Sequence, residues 1–227
     1  DGTGNRRDNI IAGNEGDNVL KGALGNDVLL GGNGNDVFVD WRGANQFVGG
    51  AGDDLYFVDH KRNRLIEEAD EGVDTVVATV SFTLRYHSQY IENLTLSGQE
   101  DINGTGNALD NRLVGNAGDN RLDGAWGDDR LHGGAGNDAL IGHLGNDVLT
   151  GGAGADTFSF SLNDGHDRIT DFDITQDRLA FGKGISVEDM QILRQGADTV
   201  ISHGTGLSIT IEDMAPGDLD AAHFLWL

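Results

Sequence analysis

The chain has 227 residues, 36 glycines, no cysteine, a hydrophobic content of 37% and a formal net charge of −23. So little apolar material makes a lean core, and self-repulsion with glycine entropy favours an expanded chain unless counter-ions intervene. The 15 Lys and Arg are spread along the chain, which argues against nucleic acid and anionic membrane partners, and the missing cysteines exclude disulfides and thiolate metal sites.

In chain order, the first element is a run of nine-residue phrases beginning at Gly4, Gly13, Gly22, Gly31, Asp40 and Gly49 and ending near Phe57. Its clearest copy is Gly31-Gly32-Asn33-Gly34-Asn35-Asp36-Val37-Phe38-Val39, on the template G-G-x-G-x-D-x-(apolar)-x. A second run begins at Gly106, Gly115, Gly124, Gly133, Gly142 and Gly151 and ends near Ser159. Position eight is apolar or aromatic in all twelve phrases: Ile11, Leu20, Leu29, Phe38, Phe47 and Tyr56, then Leu113, Leu122, Leu131, Leu140, Leu149 and Phe158. The runs lie 102 residues apart with matching leaders, Asp1-Gly2-Thr3-Gly4-Asn5 and Asn103-Gly104-Thr105-Gly106-Asn107, as a duplicated unit would. A disordered glycine-rich linker has no reason to keep this register. A nine-residue beat cannot stay on one helical face, and the glycines disfavour helix. Six residues are read as turn and three as strand, with the middle side chain inward. Two phrases then close a coil of eighteen residues, and coils stack as parallel strands about 4.8 Å apart. The predicted fold is all-β: a parallel β-roll in two arrays, 1–57 and 104–159, joined by a β-rich spacer, 58–103, and closed by a β-rich cap, 160–227.

In the spacer, Val76, Ala78, Val80, Phe82 and Leu84 alternate with mostly polar neighbours, a strand signal, and Ile91 to Gly98 reads as a second strand. The whole is read as one continuous solenoid-like body. After Ser159 the beat is lost. Ser186 to Met190 predicts a short helix with Ser186 as N-cap, and Thr199–Ser202 with Leu207–Ile211 predicts a hairpin. The apolar end, Ala221 to Leu227, is expected to dock as a lid on the roll.

The template resembles the RTX family, the calcium-binding nonapeptide repeats of bacterial proteins exported by type I secretion. The spacer wording "GVDTVVATVSFTL…IENLTLSG" is similar to spacers between RTX arrays. Asp167-Arg168-Ile169-Thr170-Asp171-Phe172 resembles the segment that follows the roll in serralysin-type proteases and related lipases. The resemblance implies several bound Ca2+ ions, a secreted or cell-surface location, a type I secretion apparatus as partner and an uncleaved C-terminal export signal. The ending Phe224-Leu225-Trp226-Leu227 differs from the acidic residue and aliphatic triplet that close many serralysin-like proteins.

Calcium takes six to eight oxygen ligands, more than one tight turn supplies. Phrases n and n+2 lie one above the other, so each ion needs position-six carboxylates eighteen residues apart, with carbonyls from the glycine turns. Asp36–Asp54, Asp129–Asp147 and Asp138–Asp156 are complete pairs. Glycines 32, 34, 50, 52, 134, 136, 145, 152 and 154 (Gly32, Gly34, Gly50, Gly52, Gly134, Gly136, Gly145, Gly152, Gly154) are the candidate carbonyl donors. Asn9, Asn18, Asn111 and Asn120 replace Asp at position six, so Asn9–Asp27, Asn18–Asp36, Asn111–Asp129 and Asn120–Asp138 are half-sites that Asn hydrogen bonding can hold instead. The fifth phrase, Asp40 to Val48, departs most from the template and weakens the Asp27–Asn45 pair. Asp167, Asp171 and Asp173 in the tail are candidate ligands or solvated turn residues.

Signals for catalysis are missing: the chain contains no H-E-x-x-H, G-x-S-x-G or P-loop sequence, and the many periodic carboxylates suit an ion ladder rather than one catalytic pair. The seven histidines are read as surface residues, and any catalytic domain is placed outside this chain. No apolar run is long enough to span a bilayer. No signal peptide is read, and the start at Asp1 without methionine reads as a fragment of a longer protein. The expected function is a calcium-dependent folding and secretion module. The alternative is a calcium-structured module binding anionic polysaccharide or serving adhesion. For that reading the sequence offers Arg112, Arg121 and Arg130 at position seven of consecutive phrases, which read first as solvated arginines offsetting nearby aspartates, and Tyr86, His87 and Tyr90, which read first as ordinary loop or packing residues and only otherwise as a sugar-facing patch.

Overall fold

The computed structural model describes residues 1–85, 89–204 and 206–227. The chain forms two compact units, one of residues 1–97 and 102–109 and the other of residues 98–101 and 110–227. Both are parallel β-rolls.

In the first unit the odd and even phrases separate onto two sheets. Gly2–Thr3, Val19–Lys21, Val37–Val39, Leu55–Val58, Thr75–Ala78 and Asn93–Leu96 pair in parallel on one sheet, and Ile10–Ala12, Val28–Asn33, Gln46–Ala51 and Arg64–Ile66 on the other. The register puts like positions over like: Leu20, Phe38, Tyr56, Val76 and Leu94 form one rung series, and Ile11, Leu29, Phe47 and Leu65 the other. From Leu20 and Leu29 onward these side chains are buried. Rings stack along the ladder, with Phe38 and Tyr56 centroids 4.8 Å apart. Ile11, on the first strand of its sheet, is only half-buried.

The second unit repeats the plan. Leu113, Leu131, Leu149 and Ile169 stack on one sheet, and Leu122, Leu140, Phe158 and Leu179 on the other. Leu140→Ala should therefore cost the calcium-loaded fold about 2–5 kcal/mol, whereas Ile10→Ala, at a residue 78% exposed, should change it by less than about 0.5 kcal/mol. Urea unfolding at saturating calcium measures both.

Several expectations change. Strands are not limited to three residues: Val28–Asn33, Gln46–Ala51, Arg121–Trp126, Arg130–Ala135, Ala139–Leu144 and Val148–Ala153 each run six, through the first glycines of the next phrase. The spacer's long strand breaks into Thr75–Ala78 and Phe82–Thr83, the latter pairing with Gly104–Thr105 in a separate ladder. Its second strand is confined to Asn93–Leu96. In the tail, Val187–Asp189 is a single 3-10 turn, and Ser186 donates to the Asp189 carboxylate instead of capping the backbone. The hairpin forms between Asp198–His203 and Leu207–Ile211, and Met190–Gln195 adds an antiparallel third strand. Phe224–Trp226 docks in parallel on Arg178–Phe181, but Leu225, Trp226 and Leu227 stay exposed, so the lid is thinner than expected. His223 is buried, contrary to the surface reading: its Nδ1 accepts from the Asp220 backbone N–H, and its Nε2 lies 2.9 Å from the Ile174 carbonyl.

Candidate metal centre

The turns on each edge are tied by their position-six side chains. In the first unit one carboxylate oxygen of Asp36 accepts from the Asn18 N–H at 2.7 Å, and Asp54 likewise from Asp36 at 2.7 Å. Asp27 accepts from Asn9 at 2.6 Å, and Asn45 from Asp27 at 2.8 Å. In the second unit Asp129 accepts from Asn111, Asp147 from Asp129, Asp138 from Asn120 and Asp156 from Asp138, all at 2.7–2.8 Å. The position-six side chains thus stack at steps of eighteen residues.

Each such aspartate spends one oxygen on this ladder. The other, Oδ2, is buried without a hydrogen-bond partner at Asp27, Asp36, Asp54, Asp129, Asp138, Asp147, Asp156 and Asp167. An unsatisfied buried acceptor costs about 1–3 kcal/mol, more when charged, so eight in register are not a tolerable resting state. They crowd the first glycine of their own phrase. A β-carbon on Gly31 would collide with Asp36 Oδ2 and lie 2.6 Å from the Gly49 carbonyl oxygen of the next coil; Gly133 stands likewise between Asp138 Oδ2 and the Gly151 carbonyl oxygen, 2.5 Å from the latter. Only glycine fits there. The converging atoms are carboxylate and carbonyl oxygens, the donor set of a hard cation such as calcium.

The nine candidate carbonyl glycines all have φ between +96° and +152°. Position two separates two kinds of turn. It is left-handed in all seven phrases with Asp at position six, even at Ala23, Ala125 and His143. In three phrases with Asn at both position two and position six the turn satisfies itself: Asn9, Asn18 and Asn120 accept from the N–H of Asn5, Asn14 and Asn116 at 2.6, 2.8 and 2.7 Å. The Asn18 and Asn120 amides also donate to the Asn14 and Asn116 side chains. These oxygens are therefore engaged within their own turn, whereas the aspartate oxygens in the corresponding slot are not.

Burial shifts the carboxylates upward. Desolvation pushes Asp129 and Asp167 up to about 8, Asp54 and Asp74 to about 7, and Asp138, Asp147 and Asp177 to about 6, against the hydrogen bonds that lower them. It likewise raises Asp36 and Asp156.

Sequence spacing missed how the ladders continue. Asp74 accepts from the Asp54 N–H, Asp167 from Asp147 and Asp177 from Asp156, across steps of 20, 20 and 21 residues. Asp167 is thus a buried ladder member, while Asp171 is exposed and binds the Gly151 and Gly152 N–H groups. Asp173 caps its own turn through Thr175 and Gln176. A second ladder, beyond the position-six rule, runs at position five: Asp8, Asp17, Asp119 and Asp128 accept from residues 26, 35, 137 and 146, in the opposite direction to the first. Asp or Asn at position five in ten of twelve phrases was the available signal.

The fifth phrase supplies a carboxylate where a glycine was expected. Asp40 follows Gly22 by eighteen residues, and a β-carbon on Gly22 would strike Asp40 Oδ2 and approach Asp27 Oδ2. Both Asp40 oxygens are buried, and desolvation followed by the neighbouring Asp27 carboxylate pushes Asp40 up to about 7. The three-arginine strip divides: Arg112 and Arg130 are neighbours on one sheet, while Arg121 lies on the other beside Asp123, 3.6 Å away. Of the sugar-facing patch, Tyr90 is exposed, and Tyr86 and His87 lie outside the described residues.

A family model described as the RTX calcium-binding nonapeptide repeat matches residues 3–38, 39–58, 105–140 and 133–166, together more than half of the chain. The endo-1,3-1,4-beta-glycanase ExsH of Rhizobium meliloti is 43% identical over 63 residues, 28% of this chain, and the match spans only 13% of that protein. Among solved structures, the AlgE6R3 subunit of an Azotobacter vinelandii mannuronan C5-epimerase is 32% identical over 52% of this chain and 78% of its own, with a TM-score of 0.42. The extracellular lipase LipA of Serratia marcescens is 20% identical over 98% of this chain and 39% of its own, also at 0.42.

Proposed function

Because the chain belongs to the RTX calcium-binding nonapeptide-repeat family, we propose that it is a calcium-triggered folding module of a protein exported by a type I secretion apparatus. The observation that supports this most is the register of buried, partnerless Oδ2 atoms, from Asp36 and Asp54 to Asp138, Asp147 and Asp156. The proposed ligands are these carboxylates with Asp27, Asp129 and Asp167, and carbonyls of the glycine turns. Bound calcium would supply the positive charge that the turns lack. Where calcium is scarce, as inside a bacterial cell, the chain stays extended and threads a narrow channel. At extracellular calcium, binding and folding become one event. In this reading any catalytic domain lies outside this chain, whose periodic carboxylates suit an ion ladder rather than one catalytic pair.

Circular dichroism during a calcium titration tests the proposal: β-structure should rise cooperatively with calcium and vanish on chelation. A fully formed β-roll in excess chelator would overturn it. The polysaccharide-binding reading keeps one specific support, the adjacent exposed pair Arg112 and Arg130. It would gain from calcium-dependent binding to an anionic glycan that is lost on Arg130→Ala.

A further inference from the structure

One cluster of acidic side chains joins a repeat aspartate to two acids outside the repeat template. Glu67 belongs to the spacer, yet it follows Gly49 by eighteen residues and so occupies the slot of a position-one glycine. Asp54, Glu67 and Asp74 each offer an oxygen, and the three oxygens lie within 4.8 Å of one another. All three residues are buried, at 2%, 6% and 1% exposure. Two oxygens bound to one calcium at about 2.4 Å can be no more than about 4.8 Å apart, so the cluster has the span of a single-ion site.

The rest of the surroundings point the same way. Asp54 Oδ1 is used by the Asp36 N–H, but its buried Oδ2 has no partner. Asp54 Oδ2, Glu67 Oε1 and the Tyr56 hydroxyl all press on Gly49, where a β-carbon would collide with each of them. The Tyr56 hydroxyl contacts Glu67 Oε1, and Glu67 Oε2 accepts from the Gly50 N–H at 3.3 Å. Asp74 is held by the Asp54 N–H, and its own N–H donates to Glu92. Among the described residues no Lys, Arg or His forms an ion pair with any of the three. Three buried carboxylates without a cationic side chain are a costly arrangement unless a cation is held among them.

We propose that Asp54, Glu67 and Asp74 form a further calcium site that closes one edge of the first roll, with Glu67 supplying a carboxylate where the repeats supply a glycine carbonyl. Outside the fifth phrase, the proposed repeat sites draw on position-six carboxylates and turn carbonyls. Here a spacer residue brings a third negative charge, and the tyrosine of the core ladder lies against it. An all-oxygen, carboxylate-rich and buried cage suits calcium, which takes six to eight oxygens in flexible geometry, over magnesium, which demands a tighter octahedron. The site's logic is that of an end-piece. The repeat stops at Phe57, the next turn has no glycine carbonyl of the usual kind to give, and the acid replaces it. Asp40 beside Asp27 shows the same exchange on the opposite edge. In the second unit the corresponding acid, Asp171, is occupied by two backbone N–H groups, so the proposal is confined to the first unit.

The proposal rests on the calcium reading of the repeats, and one experiment separates the two. Native mass spectrometry of the full chain counts bound calcium in the parent, in Glu67→Gln, in Asp74→Asn and in Asp138→Ala/Asp156→Ala. Glu67→Gln and Asp74→Asn should each lose one ion, with unchanged circular dichroism at saturating calcium. The Asp138/Asp156 double variant should lose ions from the second unit and leave the Glu67-dependent ion in place. Tyr56→Phe, which keeps the core ring, should keep the ion count and weaken that one site several-fold in a calorimetric titration. Full count and affinity in Glu67→Gln would overturn the proposal while leaving the repeat sites standing. If Glu67→Gln fails to fold, unchanged count and affinity in both Asp74→Asn and Tyr56→Phe overturn it equally. A parent chain that binds no calcium would end both readings.

Discussion

Stripped of calcium by a chelator at pH 7.5, the chain is expected to lose its β-roll and expand towards the dimensions of an unfolded polymer, a radius of gyration of about 50 Å for this length. Two sets of terms compete. The core consists of single-file ladders such as Leu122, Leu140 and Phe158, so apolar burial per residue is small. Opposing it are the entropy of 36 glycines and a net charge of −23. Added to these are the eight buried ladder Oδ2 atoms with no donor. At about 1–3 kcal/mol each, they alone match or exceed the usual net stability of a domain, about 5–15 kcal/mol. Small-angle scattering with circular dichroism reads the result. An unchanged scattering profile after chelation would mean that the oxygens find protons or water instead, and that folding is not linked to calcium.

The Asn-type turns refine this expectation. Asn5/Asn9, Asn14/Asn18 and Asn116/Asn120 close their turns with their own hydrogen bonds, so these stretches carry no uncompensated charge at position six. Amide exchange during calcium removal should show the turns around Asp138, Asp147 and Asp156 opening before those around Asn116–Asn120.

How far this architecture was legible depends on spacing. Position eight repeats every nine residues without a gap, so both core ladders could be traced from sequence, and the eighteen-residue step placed Asp36 over Asp54 and Asp138 over Asp156. The same fixed step hid the ladder members beyond each array. Asp74, Asp167 and Asp177 stand 20, 20 and 21 residues on, because loops of different length intervene while the sheets keep their register. Glu67 obeys the step but counts from Gly49, and a reading that sought carboxylates only at position six passes over it. Strands exceed the expected three residues because Gly31 and Gly49 do not turn. With the next coil pressed against them they extend the ladder, pairing Gly32 with Gly50. The left-handed Ala125 and His143 have no local signature; the turn geometry of their phrases imposes the conformation.

Acid should partly replace calcium. In the metal-free fold burial lifts Asp54 and Asp74 to about 7, Asp129 and Asp167 to about 8 and Glu67 to about 9, whereas unfolded Asp and Glu titrate near about 4. Between about pH 4 and pH 9 the folded chain therefore binds more protons than the unfolded one, and the slope of unfolding free energy with pH is negative. The calcium-free roll is fully favoured by these groups below their unfolded values and loses that support as pH rises through 6 to 9. Lowering the pH of the chelated chain from 8 to 5.5 should recover compactness and β-structure, since protons quench the charges that calcium otherwise meets. The calcium-loaded form responds in the opposite sense: ions must displace those protons, so the calcium needed for half-saturation should rise over the same interval, and calorimetry in buffers of different ionisation enthalpy should register proton release per ion bound. A chelated chain that remains fully expanded at pH 5.5, together with calcium binding that releases no protons, would mean that these carboxylates are solvated in the folded state, and the ladder of buried oxygens would lose its role as the trigger.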